Sequence, residues 1–206
     1  VSLQEVYVEM QAVVFEYGGF IRQFVIDDKG CVMIVLWGVT TASYPNNCCR
    51  AVYCGAALSA CLRKMNHSSS IGITTGKAYC GMVGSWRRQD YVAMGKMVNL
   101  AARLMGKATG RLLIGDDTHE SLPLEVAKHF NVVNVGTMKG FNSDWCVYSF
   151  DDAVLKASLA LTDARRDDAI YATNEVRVAL ERARGILRGL VNRSDMVPQH
   201  THVVVL

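Results

Sequence analysis

The segment IGITTGKAYCGMVG, from Ile71 to Gly84, restricts the fold more than any other part of the chain. Its apolar and β-branched residues read as strand, yet glycines recur at 72, 76, 81 and 84, with another at 95 after the next loop. Glycine has no side chain to pack and weakens a strand interior. A strand keeps it where the backbone bends or where something else comes too close for a Cβ. The chain must therefore build a sheet whose strands are bent or closely approached.

Around this segment the order of elements is legible. Ser2 and Glu5 form a capping box, and Leu3, Val6, Met10, Val13, Val14 and Tyr17 follow at helical spacing until Gly18 and Gly19 stop them. FIRQFVI and CVMIVLW flank DDKG, whose Asp and Gly suit a tight turn, so residues 20 to 37 predict a β-hairpin. TTASYPNN is a loop, and Ala and Leu content predicts a second helix from about Cys49 to Met65, before the polar NHSSS. Arg87, Arg88, Gln89 and Asp90 read as a polar turn. The helix within GKMVNLAARLMGKATG comes next, then strand RLLIG, a short helix near DDTHESLP, strand FNVVNV and a last strand DWCVYSF after the turn at Gly140. Strands and helices alternate with hairpins mixed in, which predicts an α/β or α+β sandwich and not a strictly parallel wound sheet.

After about Asp152 the composition turns to Ala, Arg, Asp and Leu. Val176, Leu180, Ala183, Leu187 and Val191 mark one helical face, so 153–206 is expected to be a mainly helical extension of a domain covering 1–152. HVVVL at its end reads as a further strand for a sheet edge. With 206 residues, 50% of them apolar, the chain can bury one sizeable core. A net charge of +3, without a dense Lys/Arg run among aromatics, argues against nucleic acid as the partner. The seven cysteines lack CxxC or Cys/His ligand spacing and predict reduced thiols in an intracellular protein, not a structural zinc site. The longest apolar run, CVMIVLWGV, falls short of the roughly 20 residues that span a bilayer. No charged-then-apolar leader opens the chain, and Val1 in place of Met suggests a piece of something longer. The expected setting is intracellular and cytoplasmic, a place in a large cytoskeletal or ciliary assembly included.

One helix carries an unusual polar line: Lys96, Asn99, Arg103 and Lys107 fall along one side of it. A phosphate loop is excluded, because the Walker pattern needs a Gly where this chain has Asp90 and a Ser or Thr where it has Met97. An ordinary solvated face, with Val98, Ala101, Ala102 and Met105 packing inward, is the reading that spacing alone favours. An anion site is the other, since Arg presents a rigid fork of donors to phosphoryl oxygens and Asn can fix a sugar beside it.

The surrounding text decides between them. IGITTGKAYCGMVGSWRRQDYVAMGKMVNLAARLM resembles the core motif of class III nucleotide cyclases, in which a glycine-rich hairpin precedes a Tyr, a Gly and V-N-x-A-x-R. DKGC, RRQDY and VNLAARLM look most like the second catalytic-homology half of soluble, bicarbonate-responsive adenylyl cyclases, and the resemblance runs from the first helix to about Phe150. It implies an α+β, ferredoxin-like βαββαβ sandwich that pairs with a second cyclase-homology domain, of the same or another chain, and forms its site between the two. The reaction implied is attack of a ribose 3′ hydroxyl on the α-phosphate of a nucleoside triphosphate, giving a 3′,5′-cyclic nucleotide and pyrophosphate.

By the same resemblance Asn99 matches the ribose-orienting Asn, Arg103 the transition-state Arg, and Lys139 in TMKG the Lys that meets the terminal phosphates. Mg²⁺ is expected to be held mainly by two Asp of the partner half, without which this chain is expected to be inactive. The first metal Asp belongs on a strand ahead of the first helix. Counting from Gly18-Gly19 the second falls on Asp27, and counting back from Trp37 on Cys31, while Asp27 also reads as a hairpin-turn residue. Base selection departs from the adenylyl pattern, which has a Lys on the first hairpin strand and a Thr or Asp ahead of the Gly. Here Gln23 and Val92 stand there, and Val92 offers no polar side-chain contact. ATP is favoured over GTP by the adenylyl-type resemblance, and an inactive scaffold or nucleotide-sensing module is the alternative.

Overall fold

A computed structural model describes residues 2–27, 30–39, 42–136, 145–150 and 198–205, with Asp27 and 198–205 described by backbone alone. The chain divides into a unit of Val1–Asp151 together with Val197–Leu206, and a second of Asp152–Met196. The helical face predicted over Val176–Val191 lies in the second unit, outside the described residues.

The first unit opens with α1, Leu3–Glu16. The predicted capping box is formed: the Glu5 amide donates to Ser2 Oγ at 3.3 Å and the Ser2 amide to Glu5 Oε2 at 2.7 Å, which satisfies two helix-end donors. β1 (Phe20–Asp27) and β2 (Gly30–Trp37) form the predicted hairpin, with Phe20 opposite Leu36 and Asp27 opposite Gly30. α2 (Asn47–Lys64) leads to β3 (Ile71–Ser85), which turns through Trp86 and Arg87 into β4 (Arg88–Met94). Arg88, Gln89 and Asp90, read as turn from their polarity, are strand residues opposite Ser85, Gly84 and Val83. Polarity is a poor guide there because the outer part of the hairpin is exposed on both faces. α3 (Lys96–Ala108), β5 (Leu112–Gly115), α4 (Asp116–Glu120), α5 (Leu124–Ala127), β6 (Phe130–Val133) and β7 (Val147–Phe150) follow, and β8 (Pro198–Val205) comes last.

All eight strands belong to one sheet, in the order β1-β2-β8-β3-β5-β7-β6 with β4 paired to β3. Among the described strands only β3 and β5 run parallel; the remaining pairs are antiparallel. His202–Val205 of the C-terminal HVVVL, expected at an edge, thus lie in the interior of the sheet, with Val203 and Val204 opposite buried Leu36 and Val35 on one side and buried Thr74 and Ile73 on the other.

Successive residues of β2 serve opposite faces. Met33, Val35 and Trp37 are fully buried on the face that receives α1, where Gly19 leaves no room for a Cβ between Trp37, Val14 and Val35. α2 covers the same layer farther along, with Gly55 against Leu112, Ile73 and Ile71. Trp37 Nε1 donates to the Tyr17 carbonyl at 3.0 Å, so this large side chain is buried with its donor satisfied. On the opposite face Val32, Ile34 and Leu36 join Ala78, Cys80, Tyr91, Ala93 and the α3 residues Val98, Ala101 and Met105 in one cluster. The result is a two-faced α+β sandwich, as expected, with α3 the one helix among the described residues on the face that carries the polar line.

Candidate functional site

α3 is held to the sheet by contacts that glycine makes possible. A Cβ at Gly72 would lie 2.3 Å from the Ala101 carbonyl oxygen and 2.6 Å from the Met105 amide nitrogen. The close approach foreseen from the glycine pattern is therefore the backbone of α3 itself. Thr74 Oγ1 donates to the Met97 carbonyl at 2.9 Å and fixes the first turn. Leu100, Ala101, Leu104 and Ala108 are buried, the leucines packing with Leu113 and Val147, while Val98 and Met105 are half-buried. Ala102, assigned to the inward set from spacing, is exposed, because the buried stripe is centred on Leu100 and Leu104.

This packing leaves Lys96, Asn99, Arg103 and Lys107 on the exposed side. Asn99 and Arg103 stand one turn apart on a helix clamped from beneath, so their directions are set by the sheet and not by a loop. Both are exposed among the described residues, where water screens a guanidinium and weakens its hold on a phosphoryl group. An anion site here requires a second surface to exclude that water.

Gln23 is exposed on β1, beside a register shift between Ile21 and Gln23, and Val92 is half-buried on β4 opposite Gly81. The rings of Phe20 and Tyr91 meet edge to face with centroids 5.3 Å apart, tying the strand of Gln23 to that of Val92. Tyr91 and Val98 share one cluster, so β1, β4 and the start of α3 converge on it. Burial, and then neighbouring Cys80, raise the Tyr91 phenol above its ordinary value and keep it neutral. Four residues singled out from sequence, Gln23, Val92, Asn99 and Arg103, thus stand on elements packed together. Lys139 lies outside the described residues. Asp27 ends β1 seven residues from Phe20, roughly 24 Å along a strand, and so stands at the other end of the hairpin from the Phe20–Tyr91 contact.

Mg²⁺ takes hard oxygen ligands in near-octahedral geometry, usually from one or two carboxylates and substrate phosphates. Among the described residues no group of three or more His, Cys, Asp or Glu is placed to hold a metal ion. The strand beside β2, PQHTHVVV, contains neither Asp nor Glu.

Sequence reasoning missed the outer β3–β4 hairpin as a surface. Met82 and Val83 are 45% and 44% exposed, and Trp86 at the tip is 86% exposed, with the Arg87 guanidinium 5.0 Å from its ring centroid. The available signal was two adjacent apolar residues shortly ahead of a Trp followed by two arginines. Among the described residues no helix is long and apolar enough to cross a membrane.

The family model described as the adenylate and guanylate cyclase catalytic domain matches residues 28–149, more than half of the chain. Adenylate cyclase type 10 of Homo sapiens is 26% identical over 151 residues, which cover 72% of this chain and 9% of that protein. The protein of the same name from Oryctolagus cuniculus is 28% identical over 106 residues, 50% of this chain and 7% of that one. The chain thus spans less than a tenth of the length of these relatives. Among solved structures, the adenylyl cyclase CyaB from P. aeruginosa shares 25% identity at a TM-score of 0.57, over 72% of this chain and 80% of that one. The guanylyl cyclase Cya2 shares its fold, with 24% identity and a TM-score of 0.56 over 73% of this chain and 82% of that one. The chain belongs to the adenylate and guanylate cyclase catalytic domain family.

Proposed function

We propose that this chain supplies one half of a nucleotide cyclase site, presenting Asn99 and Arg103 from α3 to a nucleoside triphosphate bound between it and a second cyclase domain. The observation that carries this reading is the exposed Asn99–Arg103 pair on a helix clamped by Gly72 and Thr74. Cyclase catalytic domains work as dimers or with a second catalytic domain, and the bare apolar hairpin of Met82, Val83 and Trp86 suits such a contact. The adenylate cyclase type 10 relatives favour ATP over GTP.

In this reading the ribose 3′ hydroxyl gives up its proton to water as its oxygen attacks the α-phosphorus, the bond from that phosphorus to the bridging oxygen breaks, and pyrophosphate leaves. Asn99 orients the ribose. The Arg103 guanidinium faces the equatorial oxygens, whose charge grows in the pentavalent transition state, and a preplaced donor there contributes about 3 to 4 kcal/mol. Lys139 meets the terminal phosphates and Gln23 the base edge, with Val92 forming an apolar wall. Cyclases of this class use Mg²⁺ or Mn²⁺, and in this reading its ligands come mainly from the partner half.

A second reading, an inactive module that keeps the fold and the contact surface, is favoured by the half-buried Val92 at a position where a base-reading polar group is expected. Mixing the full chain with a metal-bearing cyclase half and following cyclic nucleotide formation from ATP and GTP separates them. Product that requires both halves supports the enzyme; association without product from either nucleotide supports the inactive module.

A further inference from the structure

The interior position of β8 is the most unusual feature of the sheet. On one side Ile34, Val35, Leu36 and Trp37 pair with Val205, Val204, Val203 and His202; on the other, Gly72 through Tyr79 pair with Val205 through Pro198. Take β8 away and β2 keeps only β1 as a partner, so the first hairpin parts from the rest of the sheet. Two inner edges would then face each other with unpaired backbone groups beside Val35, Leu36, Ile73 and Thr74, all at most 1% exposed. Those exposures hold with β8 in place; without it the two open edges present rows of unpaired amides and carbonyls that template pairing with another strand, so the gap is a ready slot for one.

The path around α1 identifies which strand the gap suits. α1 runs into β1, β1 turns back through a hairpin into β2, and β2 leads through α2 to β3. In a split βαβ unit the strand ahead of a helix lies parallel to the strand after it, with one antiparallel strand between them. β8 is antiparallel to β2, as β1 is, so β8 and β1 are parallel with β2 between them. It therefore stands where the βαββαβ pattern puts a strand that runs into α1. Its sequence suits the place: Val203, Val204 and Val205 fall at the registers of buried Leu36, Thr74, Val35 and Ile73, and Pro198 occupies the first strand position, where proline is tolerated.

We propose that Pro198–Val205 is an interchangeable closing strand, a C-terminal segment that seals the centre of the sheet in the slot open to a strand leading into α1, so that the two are mutually exclusive occupants. The proposal is independent of nucleotide chemistry and holds equally for an inactive domain.

Two measurements on the full chain test it. In NMR spectra Val203 should show cross-strand contacts to both Leu36 and Thr74, and a mixture of labelled and unlabelled chains should show that these contacts arise within one molecule. Contacts to neither strand, or contacts arising only between chains, overturn the proposal. Val204→Pro in the full chain should then lower amide protection at Leu36 and Thr74 by about tenfold or more, because proline removes a ladder donor from a central strand. A second copy of residues 198–205, joined by a short loop ahead of Val1 in that same variant, should restore the protection. Unchanged protection in Val204→Pro, or no restoration by the added copy, overturns it.

Discussion

Gly72→Ala tests the joint between sheet and site. Its Cβ would stand 2.3 Å from the Ala101 carbonyl oxygen and 2.8 Å from Leu104 Cβ, where ordinary contact begins at 3.4 Å. α3 would have to lift by roughly 1 Å, since the colliding atoms are backbone and cannot swing aside. Overpacking of this kind costs about 3 kcal/mol at the upper end of its usual range. Replacing a glycine returns about 0.4 to 1 kcal/mol by restricting the unfolded chain, which leaves a net loss of about 2 kcal/mol. For a protein of this size that lowers Tm by about 4 to 8 °C. Moving Asn99 and Arg103 by the same 1 Å should lower the turnover of the reconstituted cyclase about a hundredfold. Calorimetry on the full chain, with amide exchange at Leu100 and Leu104, reads the first effect. A Tm within about 1 °C of wild type, with unchanged exchange on α3, would refute the reasoning that glycine is needed there for backbone approach.

Other substitutions and conditions probe separate parts of the structure. Trp37→Ala removes a fully buried ring and its hydrogen bond to the Tyr17 carbonyl, and should cost about 3 to 5 kcal/mol in urea unfolding. Burial first, and then Cys49, push the Cys48 thiol up from 9.0 to about 12. Below pH 9 the thiol is protonated in both states; as pH rises from 9 through about 12 the unfolded chain ionises first, so Cys48 makes stability fall across that window. Unfolding midpoints for wild type and Cys48→Ala should therefore differ in their alkaline slope, and alkylation of the native chain near pH 8 should label exposed Cys31 well before Cys48. Trp86→Ser together with Met82→Ser should weaken association with a cyclase partner by about tenfold or more while leaving Tm unchanged, because both side chains are exposed here.

Most of the scaffold was legible because its signals are local. The capping box of Ser2 and Glu5, the β1–β2 hairpin and the glycines at 72 and 84 each act on the backbone within reach of their own residues. That Asn99 and Arg103 share one exposed face was legible from helical spacing, and it follows from the buried stripe of Leu100 and Leu104. Two features could not be found that way. The interior place of β8 depends on pairing with residues more than a hundred positions away, and nothing in HVVVL distinguishes a central strand from an edge. The β3–β4 hairpin was misread at Arg88–Asp90 because a strand solvated on both faces loses the alternation that identifies strands. Ala102 was placed on the wrong side because small residues give no contrast between the two faces of a helix.

The most direct test is the steady-state kinetics of Arg103→Ala in the full chain, paired with a metal-bearing cyclase half and supplied with ATP. If the guanidinium faces charge that forms only in the transition state, kcat should fall by about a hundred- to a thousandfold while KM changes by less than about threefold and association with the partner half is unchanged. Equal turnover by wild type and variant, or a loss confined to KM, would contradict a transition-state role for the polar line on α3.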